Sequence, residues 1–130
     1  GAGFRLAVGP HDTLRLEIND RNHAFFWETD PGLIRAGNRH RVTCIVDGGP
    51  KTISVVVDER LCDGGEHRPF GWGHFTPHTV FTSTGPYRDV VNESKEIRVN
   101  SSLDGTLESL RVYDHYLLTS EAIANHRASR

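Results

Sequence analysis

The chain has 130 residues, a formal net charge of −2 and 25% charged residues. This length allows one domain with a real hydrophobic core. The near-neutral charge gives no reason to expect nucleic acid or an acidic membrane surface as a partner. The apolar runs span only a few residues, too short to cross a bilayer.

The first third of the chain alternates apolar and polar residues, as half-buried strands do. We predict strands at residues 4–8, 14–18 and 23–27, with a polar turn at 19–22. Trp27 follows two phenylalanines, so we expect it to pack in the core or between sheets.

A hairpin is predicted next, with strands at residues 42–46 and 52–57 around an Asp-Gly-Gly-Pro turn at 47–50. Both of its faces are fairly apolar, which is typical of a central strand pair in a two-sheet sandwich. Antiparallel pairing sets three pairs of residues directly opposite each other. These pairs are Val46 with Ile53, Cys44 with Val55, and Val42 with Val57.

The hairpin also bears on the two cysteines of the chain. Cys62 lies beyond the end of the predicted ladder, so at about 3.3 Å per residue it should be many ångströms from Cys44. We therefore predict two separate thiols, with Cys44 buried, rather than a disulfide.

Residues 62–92 lose the strand pattern and are rich in Gly, Pro, His and aromatic residues. Long loops of this kind are usually functional or wrap over the core. Aromatic rings stack on the apolar faces of sugars, while polar groups bind the hydroxyls. The candidate ligand-binding residues are Arg68, Phe70, Trp72, His74 and Tyr87. The alternative is that the aromatic rings plug one end of the core.

Histidines in the same loop invite a zinc hypothesis, which the spacing disfavours. His67, His74 and His78 are close in sequence, but Pro77 prevents a helical pairing of the last two. No His-Glu-x-x-His motif is present. Surface or loop-packing histidines are the favoured interpretation.

The last third of the chain is predicted to hold one more strand and the only helix. Residues 107–113 form the strand, with Leu110 and Val112 on its core face. The helix begins near Thr119 as N-cap, and Leu118 is expected to pack on Ile123. At about ten residues, this helix must pack on the rest of the domain to be stable.

Two stretches carry a family resemblance. Gly105-Thr-Leu-Glu-Ser-Leu-Arg-Val-Tyr113 precedes the helix, and His40-Arg-Val-Thr-Cys-Ile-Val-Asp-Gly48 is followed by Val57-Asp58. In this order they resemble LamG-like jelly rolls of the concanavalin A-like lectin and glucanase superfamily. The resemblance covers about half of the chain. It implies an all-β fold, an antiparallel jelly-roll β-sandwich with a short C-terminal helix.

The resemblance also implies a function. We expect a non-catalytic carbohydrate-binding module, accessory to a secreted glycoside hydrolase or sialidase-type enzyme, with a glycan as its ligand. The alternative is an extracellular protein-interaction or structural module of laminin G type. Many such jelly rolls hold a structural calcium ion, for which Asp104 and Asp89 are the candidate ligands.

Family members normally carry further strands ahead of the first one found here, and one of them pairs beside the C-terminal strand. Residues 1–130 are therefore expected to be a single LamG-like domain that lacks its N-terminal strands. It should need an upstream domain of the same parent protein, or self-association, to cover its open edge.

Catalysis by this chain is not expected. Glycan hydrolysis needs two carboxylates at a fixed separation. The lectin-fold glucanases place theirs on one strand face as Glu-x-Asp-x-Glu or a close variant. The densest acidic run here, residues 89–96, has a different spacing.

Overall fold

The computed structural model describes residues 3–19, 24–64, 73–74 and 104–129. These residues form two antiparallel sheets and one short helix, with the strand order β1-β2-β3 in the first sheet. The second sheet has the order β4-β5-β6, and β7 also pairs with β5. The elements are β1 (Gly3–Val8), β2 (Leu14–Asn19), β3 (Ala24–Glu28), β4 (Val42–Asp47), β5 (Thr52–Val57), β6 (Arg60–Leu61), β7 (Gly73–His74) and α1 (Thr119–Ala128). The prediction of a largely β, antiparallel protein with a short C-terminal helix is confirmed.

The first sheet follows the predicted alternation, with β2 at its centre. Leu16 lies opposite Leu6 on one side and Trp27 on the other, so all three side chains share one face of the sheet. Leu16 and Ile18 are buried on this face. Just before the start of β2, the Thr13 hydroxyl lies 3.1 Å from Glu28 Oε2 and donates to it. The buried carboxylate thus has a hydrogen-bond donor inside the fold.

The second sheet is built on the predicted hairpin. The pairs Val46–Ile53, Cys44–Val55 and Val42–Val57 are all present, so the predicted register is confirmed. The turn is closed by Asp47, whose Oδ1 accepts the Gly49 N–H at 3.0 Å. A side chain that mimics a backbone acceptor in this way favours a turn over a continued strand.

Both faces of the second sheet are covered. One face shares a core cluster with the first sheet, formed by Leu16, Ile18, Ile53, Val55, Val57 and Cys62, with Trp27 packed against it. The other face carries Ile45 and Val56, which pack against Leu117 and Ala122. The hairpin therefore lies between the first sheet and the C-terminal helix, as its two apolar faces predict.

The two thiols are unpaired, as predicted, but the geometry behind that prediction is wrong. The chain reverses after β5, and the Cys62 N–H donates to the carbonyl of Val55 at 2.8 Å. Cys44 faces Val55 from the other side. The two cysteines thus flank one residue, roughly 9–10 Å apart at two strand spacings, beyond the reach of a disulfide.

Burial decides the chemistry of both thiols, although Cys44 is only partly buried and not fully buried as predicted. It raises the pKa of Cys44 to about 12, with a smaller contribution from Cys62. It also raises the pKa of Cys62 to about 11. A thiol that stays protonated at neutral pH is a weak nucleophile.

The predicted strand at residues 107–113 is not formed. None of the described strands pairs with it, and Leu110 and Val112 are 53% and 73% exposed rather than in the core. An isolated extended segment has no ladder to satisfy its backbone groups, so alternation alone does not make a strand. Glu108 instead forms an exposed ion pair with Arg39, at 2.7 Å.

The helix begins where predicted, but its cap is one residue earlier. Leu118 is the N-cap, and its N–H donates to Glu121 Oε2 at 2.7 Å. Leu118 is 58% exposed, whereas Leu117 is buried with Ala122 and Ile123 packed nearby. The predicted apolar contact therefore exists one residue upstream, because the residue before the N-cap is the one that points at the helix. No helix in the described part of the chain is long and apolar enough to span a membrane.

Candidate functional site

A small pocket of about 290 Å³ opens between the loop after β3 and the turn that joins β5 to β6. Five of its lining residues are polar or charged and two are apolar. The lining residues are Gly32, Leu33, Arg35, Asn38, His40, Val57, Asp58 and Arg60. At the small end of the usual range for ligand pockets, about 300–1,000 Å³, this volume suits a single sugar-sized group.

Hydrogen bonds to a neighbouring turn hold the loop that forms one wall. The Gly32 N–H donates to the carbonyl of His11, and the Ile34 N–H donates to that of Asp12, both at 2.9 Å. Gly32 adopts a φ of 70°, a conformation that glycine reaches without a steric penalty. The loop is thereby tied to the first sheet while it faces the second.

His40 and Asp58 lie next to each other in the lining of the pocket. The Arg35 N–H donates to His40 Nε2 at 3.1 Å, so this nitrogen is the acceptor of the ring. The other ring nitrogen, Nδ1, lies 3.0 Å from Asp58 Oδ2 and donates to it. Asp58 Oδ1 accepts the backbone N–H of Arg41 at 2.9 Å. The hydrogen bonds thus fix both the tautomer of His40 and the orientation of the carboxylate.

Asp58 is held in its charged form. Burial by itself raises the pKa of Asp58, but the Arg41 N–H, the His40 hydrogen bond and the electrostatic interactions with His40 and His126 together lower it below 3.8. Asp58 also has a φ of 57°, a left-handed conformation that Asp tolerates better than most residues. The pocket therefore contains a fixed carboxylate at neutral pH.

Residues near the C-terminal end of the helix contact both Arg41 and Asp58. The Arg41 guanidinium donates from Nη1 to the carbonyl of Asn125 at 3.0 Å, near the C-terminal end of α1. His126 Nδ1 lies 3.8 Å from Asp58 Oδ1. Cations near the last turn of a helix also interact favourably with its dipole. The turn that carries Asp58 is thus braced by the helix.

Two arginines line the mouth of the pocket. Arg35 Nε donates to the carbonyl of Gly32 at 3.1 Å, which holds its side chain along the loop. Arg60 lies on β6, opposite Val57. Among the described residues, neither guanidinium forms an ion pair with an acidic side chain. Both arginines line the pocket and therefore keep N–H donors that no described acidic side chain occupies.

Only part of the sequence-predicted site can be compared with the structure. His74 lies on β7, exposed, with Nδ1 3.3 Å from the carbonyl oxygen of Pro50. Arg68, Phe70, Trp72 and Tyr87 lie outside the described residues. Trp27 packs between the sheets as predicted, against the core and over Gly73.

Of the two predicted calcium ligands, only one lies among the described residues. Asp104 is exposed, and Asp89 lies outside the described residues. Within the described ranges, no group of three His, Cys, Asp or Glu side chains is placed to hold a metal ion.

Sequence reasoning missed the pocket at residues 32–60. The predicted site residues include none from the segment before β4. A signal was available: a loop rich in Arg, Asn and His, followed by the Val57-Asp58 pair of the LamG-like pattern. The chain reverses after β5, which brings Arg60 near the loop that follows β3. This reversal could not be predicted from the sequence.

No protein-family profile, curated protein or solved structure matches this chain.

Proposed function

We propose that this chain is a non-catalytic carbohydrate-binding module, a LamG-like jelly-roll β-sandwich accessory to a secreted glycoside hydrolase or sialidase-type enzyme. The observation that carries the proposal is the pocket, which combines planar polar side chains with two apolar ones. The hairpin is consistent with it, because the stretch that resembles LamG-like jelly rolls forms an antiparallel strand pair.

The lining suits sugar hydroxyls, which both donate and accept hydrogen bonds. Arg35, Arg60 and the Asn38 amide supply donors. The Asn38 carbonyl and Asp58 supply acceptors, since each carboxylate oxygen can accept more than one hydrogen bond. Leu33, which is only partly buried, provides an apolar contact for the C–H groups of a sugar ring.

A glycan array with the full chain tests the proposal, followed by calorimetry with the best ligand. We expect micromolar to millimolar binding that Asn38→Ala weakens without lowering the melting temperature, because Asn38 is exposed and its side chain lines the pocket. Absence of binding to every glycan would refute the proposal.

The predicted aromatic loop enters the proposal through Trp72 as the expected stacking residue, with Arg68, Phe70, His74 and Tyr87 as further candidate ligand-binding residues. Trp72→Ala should abolish sugar binding and leave the melting temperature nearly unchanged, since stacking aromatics carry a few kcal/mol of binding energy. If Trp72 instead plugs the core, the same variant should lose about 3–5 kcal/mol of stability. Calcium bound through Asp89 and Asp104 belongs to the same proposal. Addition of a chelator should then lower the melting temperature.

A second candidate function, an extracellular protein-interaction module of laminin G type, is favoured by β1. Phe4, Leu6 and Val8 are 47%, 53% and 59% exposed. They lie on the same face as the buried residues of β2, at the edge of the sheet. An exposed apolar row on an edge strand is typical of a protein contact.

Sedimentation equilibrium with Leu6→Lys separates the two functions. If β1 is a contact surface, the wild-type chain associates and the variant does not. Glycan binding by the variant should be unchanged, because Leu6 does not line the pocket.

A further inference from the structure

We propose that the pocket between residues 32 and 60 recognises the carboxylate of an acidic sugar, so that the ligand is a glycan containing a uronic acid. This inference rests on the proposed glycan-binding function and names the class of sugar. Neither the aromatic loop nor the family resemblance enters into it.

The balance of charge in the pocket favours an anion. Arg35 and Arg60 bring two permanent positive charges. Asp58 brings the one negative charge among the lining residues, and both of its oxygens already accept hydrogen bonds, from His40 and the Arg41 backbone. The donors left available outnumber the acceptors. A neutral sugar would use them incompletely, whereas a carboxylate accepts from several at once.

Arginine also has the right geometry to bind a carboxylate, and the side chain of Arg35 is held in place. A guanidinium matches a carboxylate with two parallel hydrogen bonds, which a lysine cannot form. Arg35 is fixed at its backbone by His40 and at Nε by Gly32, so its terminal nitrogens are positioned before a ligand arrives. Such pre-organisation reduces the entropy lost on binding.

The remaining groups favour a sugar over a simple carboxylic acid. Asn38 and Asp58 can each accept a hydrogen bond from a hydroxyl. Leu33, which is only partly buried, offers apolar surface that acetate would not cover. The volume of about 290 Å³ holds more than a lone carboxylate group.

The test is calorimetric titration of the full chain with glucuronate, glucose and acetate at low and high salt. We expect glucuronate to bind at least about tenfold more tightly than glucose or acetate, with a loss of affinity in high salt. Arg60→Ala should reduce glucuronate affinity roughly tenfold, and Arg60→Lys should restore it only in part. Arg35→Ala should have a similar effect if its melting temperature is retained.

Arg39→Ala is the matched control. Arg39 is exposed, pairs with Glu108 and does not line the pocket, so its removal changes the net charge equally without touching the site. Equal loss in the Arg39 and Arg60 variants would overturn the inference, as would equal binding of glucuronate and acetate. If the chain binds only neutral glycans, the inference fails and the proposed function stands. If it binds no glycan at all, the proposed function fails with it.

Discussion

The β4–β5 hairpin and the segment at residues 104–118 have similar strand-like sequences and opposite outcomes. The hairpin has the register that its sequence predicts, and both of its faces are covered. The segment has the same alternation at Leu110 and Val112, yet both side chains are exposed and no described strand pairs with it.

The difference lies in where each strand finds its partner. In the hairpin, the turn at 47–50 supplies the partner within a few residues, so closing the ladder costs little chain entropy. A strand at 107–113 needs a partner from a distant part of the chain. Alternation shows that a segment can form a strand, but pairing depends on an available edge.

The largest effect is expected when the same substitution, valine to alanine, is made in both regions and the loss of stability is compared. Val56 is 1% exposed and Val112 is 73% exposed. Val56→Ala should lower the free energy of unfolding by about 2–3 kcal/mol, through lost burial and a cavity. Val112→Ala should change it by less than about 0.5 kcal/mol. Urea denaturation of both variants measures the difference, and comparable losses would mean that residues 107–113 are packed in solution.

A smaller loss of stability is expected from a substitution on the hairpin face that packs against the first sheet. Cys44→Ser should destabilise the protein by about 1–3 kcal/mol, because a hydroxyl enters an apolar site. Thiol titration of the unfolded, unreduced protein should find two groups, consistent with unpaired cysteines. The folded protein should react much more slowly, since burial raises both thiol pKa values. Mass spectrometry that detects a Cys44–Cys62 link would contradict the three-strand arrangement.

The end of the hairpin should respond to acid. The pKa of Asp58 is lower in the folded state than its ordinary value of 3.8, so its ionised form stabilises the fold. This contribution is fully present above about pH 4 and is lost as the pH falls through the lower, folded-state value. Asp58→Asn should therefore cost stability at neutral pH, and the difference from wild type should shrink below pH 4. A difference that is constant from pH 7 to pH 3 would exclude this role.

The smallest effect concerns an exposed ion pair between the segment and the rest of the chain. Arg39 and Glu108 pair at 2.7 Å, with side chains 77% and 54% exposed. Exposed pairs contribute about 0–1 kcal/mol and weaken in salt. A double-mutant cycle with Arg39→Ala and Glu108→Ala should give a coupling energy in that range, reduced at 1 M salt. A larger, salt-insensitive coupling would indicate that the segment is more firmly held than its exposure suggests.

Local patterns in the sequence were enough to predict the strands of the first sheet, the hairpin register and the presence of the helix. The chain reversal after β5 was not predicted, because residues 58–59 carry no glycine and Asp58 adopts its positive φ without one. That reversal explains both the misplaced Cys62 and the overlooked pocket. The helix cap was missed by one residue because Thr119 has the preferred side chain, while Glu121 supplies the actual hydrogen bond.

The contact between Gly73 and Trp27 has a consequence for protein engineering. A side chain at position 73 would place its Cβ 2.5 Å from Trp27 Cη2, inside the ring. Gly73 also pairs with Ile53, a fully buried residue of β5. Residue 73 is thus fixed on both sides. A library that randomises residues 68–72 and 75–78 in search of new binding specificities should keep Gly73 and Trp27 constant, because any larger residue at 73 would have to displace the indole.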